Sequence, residues 1–310
     1  MLRLSFIVPF YNTEPYIEEC IRSLYNQDIP QSEYEVICVD DCSPDGSRVI
    51  VERLQKEYPT LKLLLHSENK RQGGARNTGF NVAQGRYIWF VDSDDYIMPN
   101  VLNDLLQTAE SNDLHVLQFD YNRSAERLGN EHIAEQVIQN GEAYLFADKS
   151  RQWDKRVVGP WRQLIRRQLL GEQQIAFVEG CQYEDTDYML RVFLTAQRVQ
   201  YIKLMAYYYR RNEQSTTLDV PSPQKIAWQI NQLVRCSQLI DICKTSEGKD
   251  CLTEMVRNSF SALRVEIKIL NAYDKCIYLQ NLTADIAKSK KYMNWRTWFA
   301  LRYGITAFVK

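Results

Sequence analysis

The chain of 310 residues is long enough for one large domain or two ordinary ones, each with a substantial core. Apolar residues at 45% and charged residues at 25% are typical of globular proteins, and the formal net charge of −1 gives no reason to expect nucleic acid. Eight cysteines without a C-x-x-C pair predict buried free thiols in a reducing compartment. The apolar run at the N-terminus is stopped by Pro9, and no stretch reaches the length of a membrane span, so we expect a cytoplasmic protein.

Five apolar, β-branched runs alternate with amphipathic stretches up to about residue 120. The predicted strands cover residues 4–10, 35–39, 61–65, 87–91 and 114–119. Helices are predicted between them, the first with apolar residues at helical spacing over 17–24, and others near 50–58, 75–84 and 100–110. Strands and helices that alternate in this way are typical of βαβ units, so we predict an α/β fold with a mostly parallel sheet flanked by helices.

The pattern is less regular beyond residue 120 and becomes helical near the end of the chain. Residues 121–180 contain short strand candidates, and a helix is predicted at about 184–197, before a strand at 199–209. Pro221 and Pro223 mark a boundary, after which nearly every segment has a helical pattern.

Polar residues follow four predicted strands at the point where each strand ends. They are Tyr11-Asn12, Asp40-Asp41, Ser67-Glu68-Asn69 and Asp92-Ser93-Asp94-Asp95. In an open parallel sheet, ligands bind outside the carboxyl ends of the strands. We therefore expect these side chains to form one site.

The acidic cluster at 92–95 is the most informative of these segments. One carboxylate would be enough to cap a helix, whereas three carboxylates in four positions repel one another. The spacing does not fit an EF-hand loop, but an open site for a hard divalent cation fits carboxylate oxygens. Gly73-Gly74 before Arg76 opens a helix, where it indicates either an anion site or a close backbone approach.

Other chemistries find little support in the chain. It contains no P-loop, no G-x-G-x-x-G after a strand, no H-E-x-x-H and no G-x-S-x-G. Three histidines leave few candidates for a zinc site or a nucleophile triad.

Motifs along the first two thirds of the chain resemble those of family 2 inverting glycosyltransferases with a GT-A fold. They occur in the order S-F-I-V-P-F-Y-N, V-D-D-C-S-P-D-G-S, N-K-R-Q-G-G-A-R-N-T-G, F-V-D-S-D-D and E-G-C-Q-Y-E-D. Y-Y-Y-R-R at 207–211, followed by Ser215-Thr216, extends the match. The resemblance implies a GT-A domain over residues 1–217, with a nucleotide-binding half (1–120) and an acceptor-side half (121–217), before a helical C-terminal region (218–310).

The resemblance also implies a nucleoside-diphosphate-sugar donor, with a UDP-sugar expected, and a hydroxyl of a saccharide or lipid-linked acceptor. Pro9 and Tyr11 would line the pocket for the base, with Tyr11 stacked on its face. Asp41 would accept a hydrogen bond from the base, and Asn69 and Arg76 would help to hold the nucleotide and the sugar.

The acidic cluster would hold the donor and its cation. Asp92 would contact the ribose or the metal, with Ser93 beside it at the donor. Asp94 would bind Mg²⁺ or Mn²⁺, which bridges the diphosphate and neutralises the leaving group.

Asp185 is the implied catalytic base, which takes the proton of the acceptor hydroxyl as that oxygen attacks the anomeric carbon. We expect Glu184 to point elsewhere and Asp187 to lie farther around the helix. The chain departs from the family pattern at two points, which concern recognition of the acceptor and the full set of metal ligands. Gln163 stands where many relatives have Lys, and no His follows residue 132, so the His metal ligand of some relatives is missing.

Competing functions are a nucleotidyltransferase of related fold and a non-catalytic sugar-nucleotide binder. The first normally has a Gly-rich, Arg- or Lys-bearing loop after the first strand, and here Pro9-Phe10-Tyr11-Asn12 occupies that place. A receiver-like signalling domain would need an acidic pair after the first strand and a Lys after the fifth, and neither is present.

The end of the chain combines basic and aromatic residues. Residues 286–310 contain no acid but six basic residues, interleaved with six aromatic residues. This composition is typical of a helix at a membrane interface and also of a terminal helix that packs on its domain. Because the resembling bacterial relatives often act on lipid-linked acceptors at the inner membrane face, we expect peripheral binding to anionic membranes through residues 288–310.

Overall fold

The computed structural model describes residues 2–123, 133–134, 138–146, 159–210, 222–267, 274, 278–279, 282 and 284–303. Its strands are β1 (Leu4–Phe10), β2 (Tyr34–Asp40), β3 (Leu61–Leu65), β4 (Tyr87–Phe90), β5 (Tyr96–Ile97), β6 (Val116–Asn122), β7 (Ile133–Ala134), β8 (Gln163–Arg166) and β9 (Val199–Tyr208). Its α-helices are α1 (Ile17–Tyr25), α2 (Ser47–Glu57), α3 (Arg71–Val82), α4 (Leu102–Ser111), α5 (Gly141–Phe146), α6 (Arg167–Glu172), α7 (Asp185–Thr195), α8 (Pro223–Leu239), α9 (Ser246–Ile267) and α10 (Trp295–Tyr303).

The described strands form one mixed sheet in the order β3-β2-β1-β4-β8-β6-β9-β5, with β7 paired to β9. The first half is parallel, as the alternating pattern predicts: β1 pairs with β2 and β4, and β2 pairs with β3. Every residue of β1, β2 and β4 is buried, because helices cover both faces of a parallel sheet, and this explains their continuous apolar runs.

The second half of the sheet departs from the simple alternation. β8 lies between β4 and β6 and is antiparallel to both. β6 is parallel to β9, and β5 is antiparallel to β9. The inserted strand β8 has only four residues and follows a short 3₁₀ helix, Pro160–Arg162, so it has no long apolar run by which the sequence could reveal it.

Two hydrophobic clusters lie on opposite faces of the sheet, because successive strand residues point to opposite sides. Phe6 and Val8 of β1 belong to one cluster, and Ile7 belongs to the other. The cluster that contains Ile7 also contains residues of the C-terminal helices, among them Val234 of α8 and Leu301 of α10. The C-terminal helices therefore share a core with the sheet, whereas the division at residue 217 stays a prediction.

The described cysteines are all free thiols, as predicted, and Cys276 lies outside the described residues. Cys20, Cys38, Cys181, Cys236 and Cys243 are buried, and Cys42 is exposed. No helix in the described part of the chain is long and apolar enough to cross a membrane.

Candidate active site

The carboxyl ends of β1, β2 and β4 open into a cavity of about 860 Å³, together with the start of α3 and the loop before α7. All residues for which the sequence predicts a binding, metal or catalytic role line this cavity: Pro9, Tyr11, Asp41, Asn69, Arg76, Asp92, Ser93, Asp94 and Asp185. The structure thus brings together residues that lie up to 176 positions apart in the chain (185 − 9). The role of each residue stays a prediction.

The side of the cavity next to β1 and β2, where the sequence predicts the nucleotide, is called the nucleotide wall; it carries Tyr11, Thr13, Asp41, Asn69 and Arg71. Hydrogen bonds to Asp41 hold this wall together. Oδ1 of Asp41 accepts hydrogen bonds from the backbone N–H of Lys70 (2.8 Å) and from Nδ1 of His66 (2.7 Å), since a carboxylate can only accept. Asn69 donates from Nδ2 to the Asp41 carbonyl oxygen (3.1 Å). These contacts all use Oδ1 or the backbone, so Oδ2 is the Asp41 atom that can accept a hydrogen bond from a ligand.

Two side chains after β1 complete this wall. Tyr11 is 49% exposed, which fits a stacking surface better than a core position. The hydroxyl of Thr13 is buried and has no hydrogen-bond partner in the described residues, although Thr13 lines the cavity. A buried unpaired hydroxyl is costly unless a ligand or water satisfies it, so Thr13 is a candidate ligand contact that the sequence reasoning missed.

Arg76 lies at the centre of a cluster of carboxylates. Its side chain is 1% exposed, and its guanidinium contacts Asp92 Oδ1 (2.9 Å), Glu184 Oε1 (2.8 Å) and Asp185 Oδ1 (3.2 Å). Nε of Arg76 is buried without a partner in the described residues. Arg76 therefore lines the predicted donor cavity, but its charge is shared among three acids of the protein.

The expectation that Glu184 points elsewhere is wrong. Glu184 is buried, and a buried carboxylate needs a partner; here that partner is the Arg76 guanidinium, which Glu184 shares with Asp185. Asp187 does lie on another side of α7, where it pairs with Arg191 and Arg235 instead of lining the cavity.

Burial and mutual repulsion change the acidity of this cluster. Burial raises the pKa of Asp92 to about 6, against the opposing effect of Arg76. Burial and the neighbouring Asp185 raise the pKa of Glu184 to about 8. Burial lowers the pKa of Arg76, but Asp92, Asp185 and Glu184 together raise it above its usual value, so Arg76 stays charged.

The glycines at the start of α3 allow the loop before α7 to approach closely. A Cβ on Gly73 would lie 2.5 Å from the carbonyl oxygen of Val178. Asn77, one turn farther on, donates from Nδ2 to the carbonyl oxygen of Phe177 and accepts from its N–H, both at 2.9 Å. Of the two sequence interpretations of the Gly-Gly pair, the structure supports close backbone approach, which places Asp185 beside Arg76.

The residues around Asp94 fit a hard divalent cation. Asp92 and Asp94 supply carboxylate oxygens, and Mg²⁺ typically takes one or two carboxylates together with substrate phosphates. The described residues contain no group of three His, Cys, Asp or Glu side chains that could enclose a metal alone. This donor set is consistent with an open site that a diphosphate completes.

Asp95 has a structural task in the same loop. Its carboxylate accepts from the Tyr207 hydroxyl and from the backbone N–H of Arg210, both at 2.7 Å, and Nε of Arg210 donates to the carbonyl oxygen of Asp94 (2.9 Å). The Tyr207 hydroxyl also accepts from the N–H of Asp92 (3.2 Å). The ends of β4 and β9 thus fix the backbone that carries Asp92 and Asp94.

An aromatic wall lies at the ends of β6 and β9 and just before β8, on the far side of β4 from the nucleotide wall. The Trp161 ring packs against Tyr121 (4.9 Å between centroids) and Tyr209 (5.4 Å), and the exposed Arg123 guanidinium lies over both tyrosines. Gln163, the departure from the family pattern, is fully buried and does not line the cavity. The strand order, which the sequence did not reveal, brings the residues of this wall together.

The basic and aromatic tail is described as far as Tyr303, and residues 304–310 of the predicted membrane segment lie outside the described residues. Tyr292 and Leu301 are buried in the core cluster, whereas Trp295 is 55% exposed and Tyr303 is 43% exposed. The buried residues agree with a terminal segment that packs on its domain. The exposed Trp295 and Tyr303 leave membrane binding as a prediction.

Comparisons with known proteins agree with this geometry. The sequence model of the glycosyl transferase family 2 matches residues 5–173. The chain is 35% identical to the uncharacterized glycosyltransferase EpsJ of Bacillus subtilis, over 69% of this chain and 62% of EpsJ. It is 32% identical to the glycosyltransferase GlyG of Streptococcus pneumoniae, over 68% of this chain and 72% of GlyG.

A third relative has been solved as a structure. The chain is 28% identical to the poly(ribitol-phosphate) beta-N-acetylglucosaminyltransferase TarS of Staphylococcus aureus, over 85% of this chain but only 45% of TarS. The structure of TarS residues 1–349 with UDP-GlcNAc superposes with a TM-score of 0.71 at 23% identity, covering 98% of this chain and 87% of that one. The chain thus spans about half of TarS and about six tenths of EpsJ.

The sheet, its flanking helices and the likeness to TarS confirm the predicted GT-A fold with a helical C-terminal region. The family model covers more than half of the chain, and it includes the strands that carry the polar residues from Pro9 to Asp94. The chain belongs to the glycosyl transferase family 2.

Proposed function

We propose that the chain is an inverting glycosyltransferase that moves a sugar from a nucleoside-diphosphate sugar to a hydroxyl of a saccharide or lipid-linked acceptor. The observation that carries this proposal is a single cavity with Asp94 at the end of β4, the nucleotide wall on one side, and Asp185 at the start of α7. The Asp185 side chain is 31% exposed, so it remains accessible from the cavity while it contacts Arg76.

The donor is expected to be a UDP-sugar. Tyr11 offers an exposed ring for the base, and Asp41 offers Oδ2 to a donor group of the base such as the uracil N–H. TarS binds UDP-GlcNAc in its structure, which makes UDP-GlcNAc the first donor to test here. Asn69, Arg76, Asp92 and Ser93 complete the proposed donor site.

Asp185 is proposed as the base. It would accept the proton of the acceptor hydroxyl as the acceptor oxygen bonds to the anomeric carbon and the bond from that carbon to the diphosphate oxygen breaks. Attack from the side opposite the diphosphate inverts the configuration. Arg76 orients the Asp185 carboxylate, and Asp185 is the more accessible acid of the pair, with 31% of its side chain exposed against 6% for Glu184.

Mg²⁺ or Mn²⁺, bound through Asp94 and Asp92, would supply Lewis-acid neutralisation of the leaving diphosphate. The contacts of Asp95, Tyr207 and Arg210 hold the loop backbone that carries these two carboxylates.

The acceptor is proposed to lie against the aromatic wall of Tyr121, Trp161 and Tyr209, beside the exposed Arg123. Rings of this kind suit the apolar faces of sugars. Peripheral binding to anionic membranes through residues 288–310 is proposed on the exposed Trp295 and Tyr303 and on the solvent-exposed Lys288, Lys290 and Lys291.

The test is release of nucleoside diphosphate from a panel of UDP- and GDP-sugars with Mn²⁺, with and without polyol-phosphate and oligosaccharide acceptors. We expect release from a UDP-sugar that stops in EDTA and in Asp94→Ala. Asp185→Asn should lower turnover about 10² to 10⁴-fold while UDP affinity barely changes.

Binding of UDP without turnover on any acceptor would favour the non-catalytic binder. Release of pyrophosphate from a nucleoside triphosphate and a sugar phosphate would favour the nucleotidyltransferase. Equal co-sedimentation with anionic vesicles by the full chain and by a chain ending at Asp285 would refute the membrane proposal.

A further inference from the structure

Helix α8 presents two side chains toward the candidate active site from outside the part of the chain that the family model covers. Trp228 and Arg235 are seven residues apart, which places them on one face of the helix about 10 Å from each other. Trp228 contacts Arg71, which lines the cavity, and Arg235 contacts Asp187 in the first turn of α7, the helix that begins with Asp185.

Trp228 contacts the nucleotide side. The Arg71 guanidinium lies 4.6 Å from the centroid of the Trp228 ring, a cation–π distance. Arg71 is the first residue of α3 and lines the cavity, and no carboxylate of the described residues pairs with its guanidinium. The charge of Arg76 is shared by three acids, whereas the Arg71 guanidinium has no acid beside it among the described residues and can therefore meet an anionic ligand.

The backbone of Arg71 is also fixed. Its φ of 62° lies in the left-handed region, and its N–H donates to Oδ1 of Asn69 (3.1 Å), a residue of the same wall. The side chain therefore leaves a rigid loop, and the face of Trp228 sets its direction.

Arg235 contacts the helix that begins with the proposed base. Its Nε donates to Oδ1 of Asp187 (3.0 Å), and its Nη2 lies 2.9 Å from the same oxygen. Asp187 is 1% exposed and is also contacted by Arg191, whose Nη2 lies 3.3 Å from Oδ2. Asp187 is two residues after Asp185, so its anchorage fixes the first turn of α7.

We propose that α8 is part of the active site: Trp228 positions Arg71 for the donor diphosphate, and Arg235 acts through Asp187 to hold the helix start that carries Asp185. This proposal rests on the proposed function for its kinetic consequences. Trp228 and Arg235 are positioning residues, because neither lines the cavity itself. One contact reaches Arg71 in the nucleotide wall and the other reaches the first turn of α7, so loss of the first should affect donor binding and loss of the second should affect turnover.

The experiment compares Trp228→Leu and Arg235→Gln in the full chain, by UDP titration calorimetry with Mn²⁺, steady-state UDP release, and hydrogen exchange of the peptide over residues 181–190. Ile242→Ala, just after α8, and Arg257→Gln on α9 are the controls, since both side chains are exposed and neither lines the cavity. Arg235→Lys keeps the charge near Asp187 and tests for rescue.

Trp228→Leu should weaken UDP binding about 3- to 10-fold, as loss of a cation–π contact implies, with exchange over 181–190 unchanged. Arg235→Gln should lower kcat about 10-fold and speed exchange over 181–190, with UDP affinity within about twofold of wild type. Arg235→Lys should recover part of kcat, and the controls should match wild type.

UDP affinity unchanged in Trp228→Leu would overturn the role of Arg71, and unchanged exchange in Arg235→Gln would overturn the anchorage of α7. Equal loss of affinity and kcat in both variants would show general loosening and overturn the proposed split. If wild type neither binds UDP nor releases it, the proposed function fails, whereas the exchange comparison still decides whether α8 holds α7.

Discussion

Replacing Arg76 with methionine should destabilise the fold through the carboxylates that it leaves behind. The substitution keeps much of the side-chain volume but removes the only charge that Asp92, Glu184 and Asp185 share in the described structure. Breaking a buried ion pair by removing one partner costs about 3–5 kcal/mol, because the remaining charge stays buried. At about 2 °C per kcal/mol for a chain of this size, the melting temperature should fall by about 6–10 °C.

Two comparisons make this measurement specific. Arg86→Met removes an arginine whose pair with Asp113 is largely exposed, so it should cost no more than about 1 kcal/mol. Adding Asp92→Asn to Arg76→Met removes a stranded acid whose pKa of about 6 leaves it ionised at neutral pH, and should recover about 0.5–3 kcal/mol. Differential scanning calorimetry measures all four proteins. If the melting temperature falls by less than 2 °C in Arg76→Met, or does not recover in the double variant, Arg76 does not stabilise the fold by compensating the three buried carboxylates.

The other predictions concern the loop before α7, the raised pKa of Glu184, and the hydrogen bonds of Tyr207 to the loop at residues 92–95. Gly73→Ala should lower the free energy of unfolding by about 1–3 kcal/mol and also lower kcat, because the new Cβ would press on the carbonyl oxygen of Val178. Gly171→Ala is the control, since a Cβ there meets open space and should be neutral or stabilising. Equal effects of the two variants in thermal melts would contradict this prediction. Glu184 has its pKa raised to about 8, so the folded state keeps a proton that the unfolded state releases between about pH 4.5 and 8. Stability should fall as pH rises across that window, by at most about 1.4 kcal/mol per pH unit, and urea titrations should find a flatter profile in Glu184→Gln. Tyr207→Phe should cost about 1–3 kcal/mol and weaken Mn²⁺ binding measured by electron paramagnetic resonance, since it removes the hydroxyl between Asp92 and Asp95; unchanged Mn²⁺ affinity would argue against a fixed loop.

Strands and site were predictable where the signal is local. The buried strands β1, β2 and β4 are visible in the sequence as continuous apolar runs, and the acidic residues at 92–95 come just after the end of β4. Helix α7 and strand β9 agree with the predicted 184–197 and 199–209 within a few residues, because both have clear apolar periodicity.

What the sequence could not reveal depends on contacts between distant segments. The pair of Arg76 and Glu184 spans 108 residues, and nothing in the local pattern of either segment indicates the other. β8 is too short to show periodicity, and its insertion between β4 and β6 decides which side chains form the aromatic wall. The burial of Glu184 against Arg76 likewise depends on this distant contact and not on the local sequence around α7.

A crystal structure with UDP and Mn²⁺, with data collected near the manganese absorption edge, would show directly whether Asp94 binds the cation at the donor diphosphate. We expect an anomalous peak between the Asp94 carboxylate and the diphosphate, with the uracil ring on Tyr11 and within hydrogen-bond reach of Asp41. A manganese peak away from Asp94, or a nucleotide bound outside the cavity at the ends of β1, β2 and β4, would contradict the proposed donor and metal site.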